Sequence, residues 1–122
     1  MILIKSNDEN QCQTIQSFLE KKKMVVMIEK DIASAILAIL QKDIQFLIID
    51  CTHNITQTSI FLKIINKIKP CLGILILSDS GEDDQLRRIS TSGIVCRLMK
   101  PVQNEELELA YETIQNYKRK RC

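Results

Sequence analysis

The sequence predicts an α/β fold: a three-layer, doubly wound sandwich with one parallel sheet of five strands between two helical layers. Short apolar runs alternate five times with longer stretches of helical periodicity, which is the pattern of repeated strand–helix units. The central runs are apolar at consecutive positions, as in strands covered on both faces. The length, 122 residues, suits one domain, expected to span 1–122.

Ile2-Leu3-Ile4 is the first candidate strand, and Cys12, Ile15, Phe18 and Leu19 follow at helical spacing. Met24–Ile28 is rich in β-branched residues and reads as the second strand. Ile32, Ala35, Ile36, Ile39 and Leu40 form the next helical stripe, with Asp31 standing where an N-cap belongs. Phe46–Ile49 is the third strand. Phe61, Ile64, Ile65 and Ile68 form a stripe that Pro70 closes. Ile74–Leu77 is the fourth strand, and a short polar helix is expected around 82–92. Ile94–Cys96 with Leu98-Met99 gives the fifth strand. The last helix carries Leu107, Ala110, Tyr111, Ile114 and Tyr117, with acids at its start and Lys118–Arg121 at its end, an order that complements the helix dipole. Five strands in so small a chain favour the flavodoxin-like order 2-1-3-4-5.

Hydrophobic residues make up 45% of the chain and charged residues 26%, enough apolar material for a core and too ordinary a charge content for disorder. The net charge of +2 gives no argument for a nucleic-acid or anionic-membrane partner, and neither is expected. The apolar start stops at Lys5-Ser6-Asn7-Asp8, unlike a signal peptide, and no run approaches the ~20 residues of a membrane span. A cytoplasmic protein is the expectation. The five cysteines form no C-x-x-C pair and His53 is the single histidine, so no zinc site is indicated. Cys51, Cys71 and Cys96 lie in or beside apolar runs and read as small buried hydrophobes in a reducing compartment.

In a doubly wound sheet the ligand crevice lies beyond the carboxyl ends of the strands. Ser6-Asn7-Asp8, Asp50, Ser78-Asp79 and Lys100-Pro101 stand at those ends. A carboxylate, a hydroxyl and an ammonium converging there suit phosphoryl handling: the first accepts the group, the second hydrogen-bonds it, the third neutralises developing charge.

With those residues in view the chain resembles response-regulator receiver domains. Phe46–Asp50 resembles the family's third strand with its phosphoacceptor aspartate. Leu77-Ser78 resembles the strand that ends in a Thr or Ser, and Leu98–Val102 resembles the lysine–proline motif, whose peptide bond in that family is usually cis. The resemblance covers essentially the whole chain. It implies Asp50 as phosphoacceptor with Ser78 and Lys100 assisting, and a histidine kinase or phosphotransfer protein as donor. It also implies an output partner on the face of the fourth helix, fifth strand and last helix, where Arg87, Arg88 and Arg97 make the surface basic. No enzyme activity is expected beyond self-phosphorylation and self-dephosphorylation.

The sequence departs from that family at several positions. The usual acidic pair after the first strand is Ser6 and Asn7, with Asp8 one place later. Asn54 and Thr58 replace a proline and a glycine in the loop after the acceptor, Asp79 replaces a small residue, and Arg97 replaces the aromatic switch. The family's Mg²⁺ is therefore expected to bind weakly, through Asp50, the Thr52 backbone carbonyl, Asn7 and Asp8. A degenerate receiver acting as a phosphorylation-independent interaction module is the alternative. A small flavin or nucleotide binder is disfavoured, because only Gly73, Gly81 and Gly93 are present and no G-x-G-x-x-G or P-loop occurs.

Overall fold

The fold is that of a computed structural model, which describes residues 1–50, 55–79 and 94–120. One sheet of five parallel strands runs β2-β1-β3-β4-β5, with β1(Ile2–Lys5), β2(Val26–Glu29), β3(Phe46–Asp50), β4(Gly73–Ser78) and β5(Ile94–Met99). The described helices are α1(Glu9–Lys21), α2(Ile32–Gln41), α3(Ile55–Ile68) and the last helix, α4(Asn104–Lys120). The helix expected at 82–92 lies outside the described residues. The predicted strand order is the observed one.

Side-chain alternation along the strands divides the core in two. Ile2, Ile4, Phe46, Ile48, Leu75 and Leu77 face α1 and α4. Leu3, Leu47, Ile49, Ile74 and Ile76 face α2 and α3. Both faces of β3 and β4 are buried along their whole length, which is why those runs read as unbroken apolar stretches.

The starts of α1 and α2 have a visible cause. Asp8 caps α1, its carboxylate accepting the Gln11 amide at 3.2 Å. Asp31 caps α2 as predicted, accepting the Ser34 amide at 2.8 Å and its hydroxyl at 3.1 Å. These bonds, the amide first, hold the Asp31 carboxyl below its ordinary pKa. At the end of α1 the Lys23 amide bonds the Glu20 carbonyl and the Met24 amide bonds the Leu19 carbonyl, with Lys23 at φ 64°. This is a Schellman motif with lysine where glycine is the usual occupant. It draws Met24 into the helix cap, so β2 begins at Val26 rather than at Met24.

Two apolar stripes are only partly used. Leu40 of α2 and Ile64 and Ile68 of α3, expected in the core, are exposed, while Ala35, Ile39, Phe61 and Ile65 fill it. Both helices hold more aliphatic side chains than one buried face can take. Thr58 is buried inside α3 rather than in the loop before it.

At the amino edge of the sheet, Tyr117 of α4 donates its hydroxyl to the Cys71 carbonyl at 2.7 Å and meets the Phe46 ring edge-on at 6.1 Å. Gly73 lies beneath both rings; a Cβ there would be 2.6 Å from the Phe46 ring and 2.7 Å from that of Tyr117. The cysteine expectation is corrected at one position. Cys12 and Cys96 are free thiols, but Cys71 is disulfide-bonded, its partner lying outside the described residues. Cys71 belongs to the half-buried turn after α3 rather than to the buried strand beyond it.

Candidate functional site

Parallel pairing brings the ends of β1, β3, β4 and β5 to one edge. Asp50 is opposite Leu77, and Ser78 is opposite Met99, so Asp50, Ser78 and Lys100 all stand at the carboxyl edge. The Lys100 amide donates to the Ser78 carbonyl at 2.8 Å, which ties the end of β5 to the end of β4. The Lys100–Pro101 peptide is cis. Just beyond it, the Val102 amide donates to the Gln11 side-chain oxygen at 3.3 Å, joining this turn to the first turn of α1.

Asp50 is 9% exposed and Ser6 2%. Lys100 Nζ donates to Asp50 Oδ2 at 2.7 Å, and the Ser6 hydroxyl donates to the same oxygen at 2.9 Å. Lys100 Nζ also reaches Asp8 Oδ2 at 3.1 Å, so one ammonium bridges two carboxylates. The Asp8 amide in turn donates to Ser6 Oγ at 3.0 Å. A buried carboxylate needs compensation by opposite charge and hydrogen bonds. Here a lysine and a serine from the chain supply both. Burial lowers the Lys100 pKa, but the bonds to Asp50 and Asp8 and the charges of both acids outweigh it, leaving the ammonium above its ordinary 10.5.

Cys12, one turn into α1 and buried, places its thiol against the Ser6 hydroxyl. Burial pushes that thiol's pKa up, the Ser6 bond lowers it, and the charges of Asp50 and Asp8 raise it again. A thiol so held is a poor nucleophile and serves as packing beneath the serine.

The sequence pattern singled out Asp50, Ser78, Lys100 and Asp8, and all four lie at this edge. It treated Ser6 as a lost acid, whereas the serine is the buried hydrogen-bond donor to Asp50. The Asp8-x-x-Gln11 spacing is the signal that fixes Asp8 as the α1 cap and so turns the chain to bring Ser6 inward. Asn7 is exposed at the rim, half-buried Asp79 follows β4, and Arg97 is exposed on β5. Thr52, His53, Asn54, Arg87 and Arg88 lie outside the described residues.

For Mg²⁺ the described donors are a poor fit. The ion wants several anionic oxygens in octahedral array. Asp8 is spent on the α1 cap and on Lys100, Asp50 Oδ2 already takes an ammonium and a hydroxyl, and Ser6 is neutral. Among the described residues no three His, Cys, Asp or Glu side chains group as a metal site.

This fold and this strand-edge cluster define a class: the chain has the fold of response regulator receiver domains. It is similar to the response regulator receiver domain protein of Clostridium thermocellum, with TM-score 0.81 and 23% identity over 97% of this chain and 95% of that one. It is also similar to the CheY-like receiver domain protein of Methanospirillum hungatei (TM-score 0.82, 18% identity, 97% and 95% covered). A third is the receiver domain of NtrX from Brucella abortus (TM-score 0.81, 18% identity, 95% and 98% covered). No family model matches the chain, and no curated protein does. Among the described residues no helix is long and apolar enough to cross a membrane.

Proposed function

We propose that the chain is a signalling receiver that accepts a phosphoryl group on Asp50 from a histidine kinase or a phosphotransfer protein. The supporting observation is the placement of Asp50: a buried carboxylate at the end of β3, in contact with an ammonium, beside the strand end that carries Ser78. In the reaction an Asp50 oxygen attacks phosphorus and the bond to the donor nitrogen breaks. The electron pair stays with the imidazole, which takes up a proton from solvent. Lys100 neutralises charge on the phosphoryl oxygens, for which it must turn away from the carboxylate it holds at rest. That cost makes acceptance slow.

A second reading is favoured by the same network. Ser6 and Lys100 together already compensate Asp50 Oδ2 with groups of the chain itself. A receiver fold so compensated serves as a phosphorylation-independent interaction module.

Intact-mass measurement after incubation with acetyl phosphate distinguishes the two. Gain of one phosphoryl mass by the wild type, absent in Asp50→Asn, supports the first. No gain over hours, with or without Mg²⁺, supports the module.

A further inference from the structure

The apolar surplus of α2 and α3 has a second half that the core does not explain. Helix α2, Ile32–Gln41, contains no charged residue at all. Its outer face shows Leu37 52% and Leu40 59% exposed. Helix α3 shows Ile60 55% exposed, followed at four-residue spacing by Ile64 and Ile68. Both helices cover the same face of the sheet, packing on the same core cluster. Five large aliphatic side chains on two helices of one layer are thus left open to water, which is how contact surfaces are commonly built.

Ile68, at the end of its stripe, also lines an open cavity of about 340 Å³ formed with Asp43–Gln45, just past α2, and Lys69–Leu72, just before β4. Lys69 crosses beneath, its ammonium donating to the Ile44 carbonyl at 3.3 Å.

The rim is basic. Helix α3 carries Lys63 and Lys67, both exposed, and no acid. Lys42 is exposed at the end of α2. The acids nearby are Asp43 at the cavity and Asp31 at the far end of α2, where it caps that helix.

We propose that the α2/α3 face docks an acidic amphipathic helix of a partner protein, its apolar residues along Ile60, Ile64 and Ile68 and its carboxylates toward Lys63 and Lys67. Aliphatic anchors at i, i+4 and i+8 suit a helix laid along them, and the lysines supply charge complementarity and a faster encounter. A second copy of this chain fits less well. Its own acidic helix face, on α4, exposes Glu105, Glu108 and Glu112 around a single apolar residue, Leu109, and Glu108 is paired with Lys22 at 3.2 Å. A bilayer fits less well too: the exposed apolar side chains of α2 and α3 include none of the aromatic residues typical of interfacial faces.

The test is methyl NMR of the full chain, titrated with a synthetic helical peptide carrying leucines at i, i+4 and i+7 between glutamates. The same peptide with lysines in place of glutamates is the control. The expected result is saturable shifts of the Leu37, Leu40, Ile60 and Ile64 methyls by the acidic peptide. The lysine peptide should bind at least about ten-fold more weakly, a difference of about 1.4 kcal/mol. Lys63→Glu with Lys67→Glu should reverse the preference; both sites are exposed, and circular dichroism verifies the fold. Equal binding of the two peptides, shifts confined to other faces, or no binding at millimolar peptide would overturn the proposal. So would preferential binding to phosphatidylglycerol vesicles, or a wild-type dimer that Leu37→Ser dissociates.

Discussion

Lys100 Nζ lies 2.7 Å from Asp50 Oδ2, with both side chains less than a tenth exposed, and the same ammonium holds Asp8 at 3.1 Å. The cation that compensates the strand-edge acids therefore comes from the chain itself. Removing one member of a buried pair costs more than the pair contributes, because the partner is left uncompensated.

Lys100→Met should accordingly destabilise the fold by about 3 kcal/mol. Asp50→Asn should cost less, since Lys100 keeps Asp8 as a counter-ion. Urea unfolding of the three proteins at neutral pH checks the order.

The pH dependence of this pair has a definite sign. Lys100 stands above its ordinary 10.5 in the folded chain. A raised lysine pKa gives stability that is complete below the unfolded value and lost as pH rises through the folded one. The stability difference between wild type and Lys100→Met should be flat from pH 7 to about 10 and shrink above it. Urea midpoints across that range measure it.

Gly73→Ala places a methyl into the rings of Phe46 and Tyr117, which clasp the end of α4 to the sheet. Phe46 is fully buried and cannot yield, so a loss of about 1–3 kcal/mol is expected. Thermal unfolding followed by circular dichroism reads it.

Lys23 occupies a left-handed position at φ 64°, where a side chain costs about 1 kcal/mol relative to glycine. Lys23→Gly should leave the Schellman bonds intact and raise stability by up to that amount. An unchanged or lower urea midpoint would contradict this account of the cap.

The layers and strand order were legible because the central strands are unbroken apolar runs, the outer ones short apolar runs, and each helix a periodic one. Asp50, Ser78 and Lys100 were legible because strand ends in a parallel sheet share one edge. The role of Ser6 was not, since it depends on the turn that the Asp8 cap imposes and on a bond to a residue far along the chain. Nor was the exposure of Leu40, Ile64 and Ile68, because periodicity marks an apolar stripe without saying how much of it the sheet can cover. The Cys71 disulfide was hidden for a related reason: cysteine spacing carries no pairing information in a chain without a recognisable framework.

Lys100 and Ser6 both donate to Asp50 Oδ2, with Ser6 and Asn7 standing at the two positions where the resemblance implies a metal-binding acidic pair. The direct measurement is the rate of Asp50 labelling by acetyl phosphate, read by intact mass across a Mg²⁺ titration, in wild type and in Ser6→Asp with Asn7→Asp. Slow labelling of the wild type with little response to Mg²⁺ is expected, and faster, Mg²⁺-dependent labelling of the double variant. Wild-type labelling that rises with Mg²⁺ as steeply as in the double variant would contradict that expectation.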